Sequence, residues 1–386
     1  MKQIPLSIPY INGNEWRYIK ECLDTGWVSS AGKYVERFEL EVGRITGIEN
    51  TVACVNGTAA LHTALILMDV FPGDEVITPT VTFIAPVNAV SYVKAKPVFM
   101  DCDDYYNINV EKTLDFIKNE TVYKSGFTFN KKTRNKISAI IPVHVFGNAA
   151  DLDVLIQICR ERNIRIIEDA AESFGTYYIE GNWQNIHTGA LGDIGCFSFN
   201  GNKIVTTGGG GIIATNNQKY AEKARYLTTQ AKDDKLRYIH NETGFNYRLT
   251  NIQAAIGVAQ LEDLPNRLKI KKQNYLKYKK AVDQIPGLNL ADTPSYANNN
   301  HWMYALQVNR DVYGKNNKEL MRIFSDNHIQ TRPLWHLNHL QNPYNKCQSF
   351  KIEKALKMLE LTLNIPCSVN LTDNEIEKVV WVMKNG

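Results

Sequence analysis

The stretch Val52-Ala-Cys-Val-Asn-Gly-Thr-Ala-Ala-Leu61 joins a short apolar run to a segment of helical length. Outward from it, between about Thr51 and Asn216, short β-branched runs alternate with amphipathic stretches. This alternation predicts βαβ units, and hence an α/β fold in which helices cover a mostly parallel sheet. The runs are continuously apolar, which indicates strands buried on both faces.

Seven such runs supply the predicted strands, at residues 52–55, 75–78, 97–100, 139–143, 164–167, 196–199 and 211–214. The predicted helices between them lie at residues 59–70, 85–93, 153–162 and 218–231. After a helix that begins near Thr250, polar connections separate shorter elements, with a strand at 302–308 and helices at 318–326 and 373–383. We therefore expect a large domain over residues 1–249 and a smaller α+β domain over residues 250–386.

The 386 residues include 44 Lys and Arg against 40 Asp and Glu, so charge selects neither nucleic acid nor a membrane as a partner. The seven cysteines are scattered without a C-x-x-C pair, as suits a reducing cytoplasm. No apolar run approaches the ~18 residues of a membrane span, and we expect a soluble, cytoplasmic protein. The basic stretch from Arg267 to Lys280 is expected to be a solvated helix face.

The segment Asn56-Gly-Thr-Ala-Ala-Leu61 ends a predicted strand and opens a predicted helix. The first backbone amides of a helix have no partner within it, so they can bind a phosphate. Gly57 permits a close approach of the backbone, and the hydroxyl of Thr58 adds a donor. Taken alone, the segment favours an ordinary helix cap.

Two further segments change that interpretation. In Ile166-Ile-Glu-Asp-Ala-Ala-Glu172, acidic residues follow a buried strand, and Asp169 is a natural partner for a protonated pyridine nitrogen. Ser198-Phe-Asn-Gly-Asn-Lys203 then supplies a lysine, with Ser198 as a second hydroxyl for a phosphate. A nucleoside triphosphate loop is excluded because the spacing G-x-x-x-x-G-K-[ST] is absent around Lys203.

Taken in order, these segments resemble the nucleotide-sugar aminotransferases of the DegT/StrS type, which have the fold of type I pyridoxal phosphate enzymes. The resemblance covers nearly the whole chain. Its other segments are Thr25-Gly-Trp-Val-Ser-Ser-Ala-Gly-Lys33, Gly73-Asp-Glu-Val-Ile-Thr-Pro79, Pro142-Val-His-Val-Phe-Gly147 and Gly244-Phe-Asn-Tyr-Arg-Leu-Thr-Asn-Ile-Gln253.

This resemblance implies roles at the matching positions. Lys203 would bind pyridoxal 5'-phosphate as a Schiff base and act as the catalytic residue, Asp169 would pair with the pyridine nitrogen, and Phe83 would stack on the ring. Three residues would hold the phosphate: Gly57, Thr58 and Ser198.

Two more positions follow from the resemblance. Asn246 would reach the phosphate from a second subunit, which makes the enzyme a homodimer with shared active sites. Glu172 lies where many relatives carry Gln, near the phenolic oxygen of the cofactor. A carboxylate beside a phenolate must be protonated or displaced.

Finer segments, including Thr228-Thr-Gln-Ala-Lys-Asp-Asp234 and Ile329-Gln-Thr-Arg-Pro-Leu-Trp335, look like the aminotransferases of legionaminic acid biosynthesis. Those enzymes transfer an amino group from glutamate to carbon 4 of a UDP-linked 2-acetamido-2,6-dideoxy-4-keto hexose. The alternative branch is that of the perosamine synthases, which act on a GDP-linked 4-keto sugar. Candidate donors to the sugar nucleotide are Ser29, Ser30, Lys33, Arg332 and His336.

Other classes fit the sequence less well. A nicotinamide oxidoreductase requires G-x-G-x-x-G after a strand, and no such spacing occurs. Retention of Lys203 together with Asp169 argues against a non-catalytic paralogue, and against the dehydratases of this fold, which replace the lysine. His336 and His339 lack a third ligand, so no metal is expected. His144 either faces the crevice or is packed inside the protein.

Overall fold

The computed structural model of the protein describes residues 3–234 and 236–386. Its helices there are α1 (Glu15–Thr25), α2 (Lys33–Thr46), α3 (Gly57–Leu67), α4 (Ala85–Tyr92), α5 (Val110–Asn119), α6 (Asp153–Glu161), α7 (Gln218–Thr228), α8 (Asn251–Glu262), α9 (Leu264–Val282), α10 (Arg310–Tyr313), α11 (Asn317–Asp326), α12 (Lys354–Leu361) and α13 (Asp373–Asn385). Its strands are β1 (Asn50–Cys54), β2 (Glu75–Pro79), β3 (Lys96–Met100), β4 (Thr121–Lys124), β5 (Phe127–Asn130), β6 (Lys136–Ile140), β7 (Arg165–Asp169), β8 (Tyr177–Tyr178), β9 (Ile194–Ser198), β10 (Gly211–Thr215), β11 (Leu288–Leu290), β12 (Ala297–Asn298), β13 (Tyr304–Val308), β14 (Arg332–Pro333), β15 (Ser349–Phe350) and β16 (Thr362–Ile365).

A ten-stranded sheet organises the first two thirds of the chain. Its main path runs β1-β10-β9-β7-β6-β2-β3-β15, and the hairpin of β4 and β5 joins it at β6. Along that path β10 runs antiparallel to both neighbours, and the other pairs are parallel. The expected α/β fold with a mostly parallel sheet is therefore confirmed.

All seven predicted strands are present, as β1, β2, β3, β6, β7, β9 and β10. The expected count of seven was too low for the sheet, because three more strands join it. Most residues of the hairpin strands β4 and β5 are exposed or half-buried, so they lack the continuous apolar run used for prediction. The third, β15, has two residues and pairs with β3 from far along the chain.

A four-stranded antiparallel sheet, in the order β11-β13-β16-β14, lies in the C-terminal part. Its core includes Tyr278, Tyr304 and Phe324, whereas Ala254 and Val258 of α8 belong to the core of the large sheet. The domain limit expected between residues 249 and 250 stays a prediction, and this packing favours a limit within α9.

The basic stretch at residues 267–280 lies in α9, and the expectation of a solvated face was wrong for two residues. Arg267 is 1% exposed and Lys271 is 2% exposed. Arg267 Nε lies 3.3 Å from Asp263 Oδ2, and Lys271 Nζ donates to the carbonyl of Trp302 at 2.8 Å. Residues four apart share a helix face, so one stripe of the stretch is turned inward.

Within the described residues, no helix is long and apolar enough to cross a membrane.

Candidate active site

The predicted site residues converge where strands of the large sheet end. Asp169 is the last residue of β7, Ser198 is the last residue of β9, and Gly57 opens α3 shortly after β1. The carboxyl edge of such a sheet opens into the crevice where α/β proteins bind ligands. Here it forms a cavity of about 820 Å³, lined by nine of the expected residues: Gly57, Thr58, Phe83, Asp169, Glu172, Ser198, Lys203, Arg332 and His336.

The start of α3 has the features of an anion-binding helix terminus. The side chain of Asn56 caps the helix by accepting from the Ala59 amide at 2.8 Å. A Cβ added to Gly57 would lie 2.8 Å from Cβ of Ser198, so glycine is what brings the helix against β9. The first amides of the helix, its positive end, and the hydroxyls of Thr58 and Ser198 therefore fit a phosphate group.

Asp169 places a carboxyl group inside the cavity. It is 3% exposed and accepts from the amide of Ala171 at 3.1 Å. Burial raises the pKa of Asp169, and that hydrogen bond and the charge of Lys203 act in the opposite direction. A buried carboxyl of this kind fits a cationic ring nitrogen, because the positive charge would stabilise the carboxylate in place of the hydration lost on burial.

Lys203 presents its amine to the same cavity, with a side chain that is 14% exposed. Its Nζ lies 3.9 Å from Glu172 Oε1 and 3.8 Å from the centroid of the Trp302 ring. Burial lowers the pKa of Lys203, while the carboxylates of Glu172 and Asp169 oppose that shift. A lysine with a lowered pKa supplies more of the neutral amine that serves as a nucleophile or base.

Aromatic side chains form one wall of the cavity. Phe83, which was expected to stack on the cofactor, is 53% exposed, and its ring centroid lies 6.4 Å from that of Trp335. Trp302 and Trp335 also line the cavity and were not predicted. Trp302 was assigned to the start of a strand that in fact begins at Tyr304. Trp335 could have been predicted from the sequence, because it lies three residues after Arg332, a predicted site residue.

Arg332 and His336 reach the cavity from the C-terminal part of the chain, and both are exposed. Nη1 of Arg332 donates to the carbonyl of Thr331 at 2.9 Å. Among the described residues, no carboxylate forms an ion pair with Arg332. A guanidinium without such a partner is suited to bind a carboxylate or phosphate with two parallel hydrogen bonds.

Four expected site residues lie outside this cavity in the protomer: Ser29, Ser30, Lys33 and Asn246. Lys33 forms an ion pair with Glu21 and lines a separate cavity with Trp27 and Asn251. Asn246 pairs with Thr229 in an isolated β-bridge. One chain therefore does not bring these four residues to Lys203, and their contact with substrate or phosphate stays a prediction.

His144 is packed inside the protein. It is fully buried, its Nδ1 accepts from the amide of Ala150 at 3.0 Å, and its Nε2 lies 2.9 Å from Glu168 Oε2. Because a backbone amide donates to Nδ1, Nε2 carries the proton and donates to Glu168. Of the two alternatives left open by the sequence, the structure favours the packed one.

A lysine and an acid beside an anion-binding helix start, at the edge of a parallel sheet, define the class of site that holds pyridoxal phosphate. The chain belongs to the DegT/DnrJ/EryC1/StrS aminotransferase family, whose model matches residues 9–384.

Similarity to known proteins over nearly the whole chain supports this assignment. The chain is 35% identical to a GDP-perosamine synthase of Caulobacter vibrioides, over 98% of this chain and 97% of that protein. It is 33% identical to a GDP-perosamine synthase of Escherichia coli O157:H7, over 100% and 98%. A solved DegT DnrJ EryC1 StrS aminotransferase from Brucella abortus is 27% identical, with a TM-score of 0.86 and coverage of 96% and 95%.

The protein is thus a pyridoxal phosphate-dependent sugar aminotransferase, which confirms the expected reaction class and cofactor. The names of the two curated relatives belong to the perosamine branch, which was the alternative and not the first expectation.

Proposed function

We propose that the enzyme transfers the amino group of glutamate to the C4 ketone of a 4-keto-6-deoxyhexose attached to a nucleoside diphosphate. One observation carries this proposal: the amine of Lys203 lies in a cavity that also contains Arg332, a cation with no carboxylate partner among the described residues. Both substrates are anionic, through carboxylates or a diphosphate, and Arg332 suits either.

The proposed roles follow from the geometry. Asp169 pairs with the ring nitrogen, Phe83 covers a ring face, and Lys203 is the point of attachment. The phosphate is held by three residues: Gly57, Thr58 and Ser198. Bound pyridoxal phosphate withdraws electrons from the carbon that loses its proton, and it carries the amino group between the two substrates.

Lys203 performs the proton transfers. In the first half-reaction its free amine takes the proton from the α-carbon of glutamate, and in the second it delivers a proton to C4 of the sugar. The lowered pKa of Lys203 favours the neutral amine that the first step requires. Because 2-oxoglutarate leaves before the sugar binds, with the amino group held on the enzyme in between, ping-pong kinetics are expected.

Two alternatives are open for the nucleotide that carries the acceptor sugar. The segments 228–234 and 329–335 support the UDP-linked 2-acetamido-2,6-dideoxy sugar of the legionaminic acid branch, and the curated relatives named for GDP-perosamine support a GDP-linked sugar. The enzyme is to be incubated with glutamate and UDP-, GDP- or dTDP-linked keto sugars. Formation of 2-oxoglutarate and a C4-amino product, located by NMR, identifies the acceptor. A C3-amino product would overturn the position of transfer, and no product from any sugar would overturn the proposed acceptor class.

We further propose that Asn246 of a second protomer completes the phosphate site, since it lies outside its own cavity. The test mixes two variants, Lys203→Ala and Asn246→Ala, after subunit exchange. Mixed dimers would contain one site with both changes and one intact site, so about a quarter of the native activity returns. If each protomer completes its own site, mixing restores nothing.

A further inference from the structure

The amine of Lys203 lies between two groups that were not expected to meet it. The carboxyl of Glu172, with a side chain 4% exposed, lies on one side at 3.9 Å from Nζ. The ring of Trp302 lies on the other, with its centroid 3.8 Å from Nζ. A ring face at this distance attracts an ammonium group.

The backbone holds Glu172 in this orientation. Its Oε2 accepts from the amide of Phe146 at 2.8 Å, which leaves Oε1 on the side of Lys203. Phe146 has a φ of 59°, a left-handed conformation that is costly for a bulky residue. Its ring packs against Trp335, with the centroids 5.1 Å apart. The strained residue is therefore fixed by the cavity wall and aims its amide at the carboxyl.

Charge balance links the two side chains. Burial raises the pKa of Glu172 to about 7, and the neighbouring charge of Lys203 acts in the opposite direction. Asp169 is the other titratable group facing the pair, and its charge favours a proton on either member. A buried pair that holds one proton between them has no net charge in either arrangement, which avoids the cost of a lone buried ion.

We propose that Glu172 is the proton partner of Lys203: whenever the amine is free, one proton is exchanged between Lys203 Nζ and Glu172 Oε1. The N–H bond breaks as the O–H bond forms, so no other reactant takes part. Lys203 can thus become a neutral base without releasing its proton to solvent. The 3.9 Å separation exceeds hydrogen-bond length by about 1 Å, which torsions of the flexible lysine stem can close. Glu172 is a positioning residue that acts through Lys203.

The test titrates the cofactor-free full chain, labelled with ¹³C at the glutamate carboxyl carbons. The resonance that disappears in Glu172→Gln is that of Glu172. It is expected to titrate near neutral pH, well above the ~4.3 of an ordinary glutamate. In Lys203→Met its midpoint rises by about one pH unit or more, because the neighbouring positive charge is lost. An ordinary midpoint, or one that does not change in Lys203→Met, would overturn the proposal.

A second readout follows the amine. Competitive acetylation across a range of pH measures the midpoint at which Lys203 becomes reactive. Glu172→Gln is expected to move this midpoint to lower pH, because the carboxylate that favours the ammonium is removed. Glu180→Gln, at an exposed glutamate, is the matched control and leaves it unchanged. An equal midpoint in both variants would contradict the proposal. Neither experiment requires a sugar nucleotide, so its outcome is independent of the proposed acceptor.

Discussion

The cavity around Lys203 and the segment at residues 26–33 were both expected to contact ligands. In the protomer they lie in different places. Lys203, Asp169 and Gly57 come from distant parts of the sequence and meet in one cavity. Lys33 instead forms an ion pair with Glu21 at the surface, outside that cavity. The first group converges because its members follow strands of one sheet, which end at a common edge. The second follows none of these strands, and within one protomer it lies outside the Lys203 cavity.

The largest effect is expected from the centre of the cavity. Lys203→Ala removes the proposed attachment point and base, and we expect turnover to fall by about 10⁴-fold or more. Single-turnover mixing with glutamate, followed by absorbance, measures the loss. Lys271→Ala would test a second buried lysine and is expected to affect stability more than chemistry. Retained turnover in Lys203→Ala would remove this cavity from the mechanism.

Asp169→Asn is the next largest change. A neutral amide does not stabilise positive charge on the ring nitrogen, so the glutamate half-reaction should slow on the order of 10³-fold. Rapid-mixing kinetics at saturating glutamate measure the rate. A rate within about twofold of native would be far from that expectation. It would show that Asp169 does not stabilise the charge on the ring nitrogen.

Gly57→Ala tests how closely α3 approaches β9. The new Cβ would lie 2.8 Å from Cβ of Ser198, so the helix start or the strand must move. We expect a stability loss of about 1–3 kcal/mol and a weaker affinity for pyridoxal phosphate. The control is Gly201→Ala, where an added Cβ meets no atom within 4 Å. Thermal melting and cofactor titration compare the two, and equal behaviour would contradict the tight approach.

Lys33→Ala should have the smallest effect. Its ion pair with Glu21 is exposed, so folding stability should scarcely change. If Lys33 reaches the sugar nucleotide from another protomer, KM for that substrate should rise by about 10-fold, the loss of one charged hydrogen bond. The glutamate half-reaction should be unaffected. Lys20→Ala, at a similarly exposed residue paired with Asp24, is the control. An unchanged KM would exclude Lys33 from substrate binding.

Much of the large sheet could be predicted because the pattern that indicates each strand lies within the strand's own residues. An apolar β-branched run predicts a buried strand wherever it occurs, and residues that follow such strands were correctly placed at one edge. The two-residue strand β15 has no such signal, because it exists only through its pairing with β3.

The rest of the site depends on packing between distant segments. Trp302 enters the cavity from the C-terminal part of the chain, and no pattern around it specifies that approach. Lys271 was expected in solvent because composition alone does not say which stripe of a basic helix turns inward. The position of Glu172 near the cofactor was expected from the resemblance, but its distance from Lys203 required the structure.

Every role proposed for this cavity depends on Lys203 being the residue that binds pyridoxal phosphate. Borohydride reduction of the purified enzyme, followed by digestion and mass spectrometry, fixes the cofactor on the lysine that holds it. We expect a single modified peptide containing Lys203, and loss of that label in Lys203→Ala. Modification at another lysine, such as the buried Lys271, would contradict it.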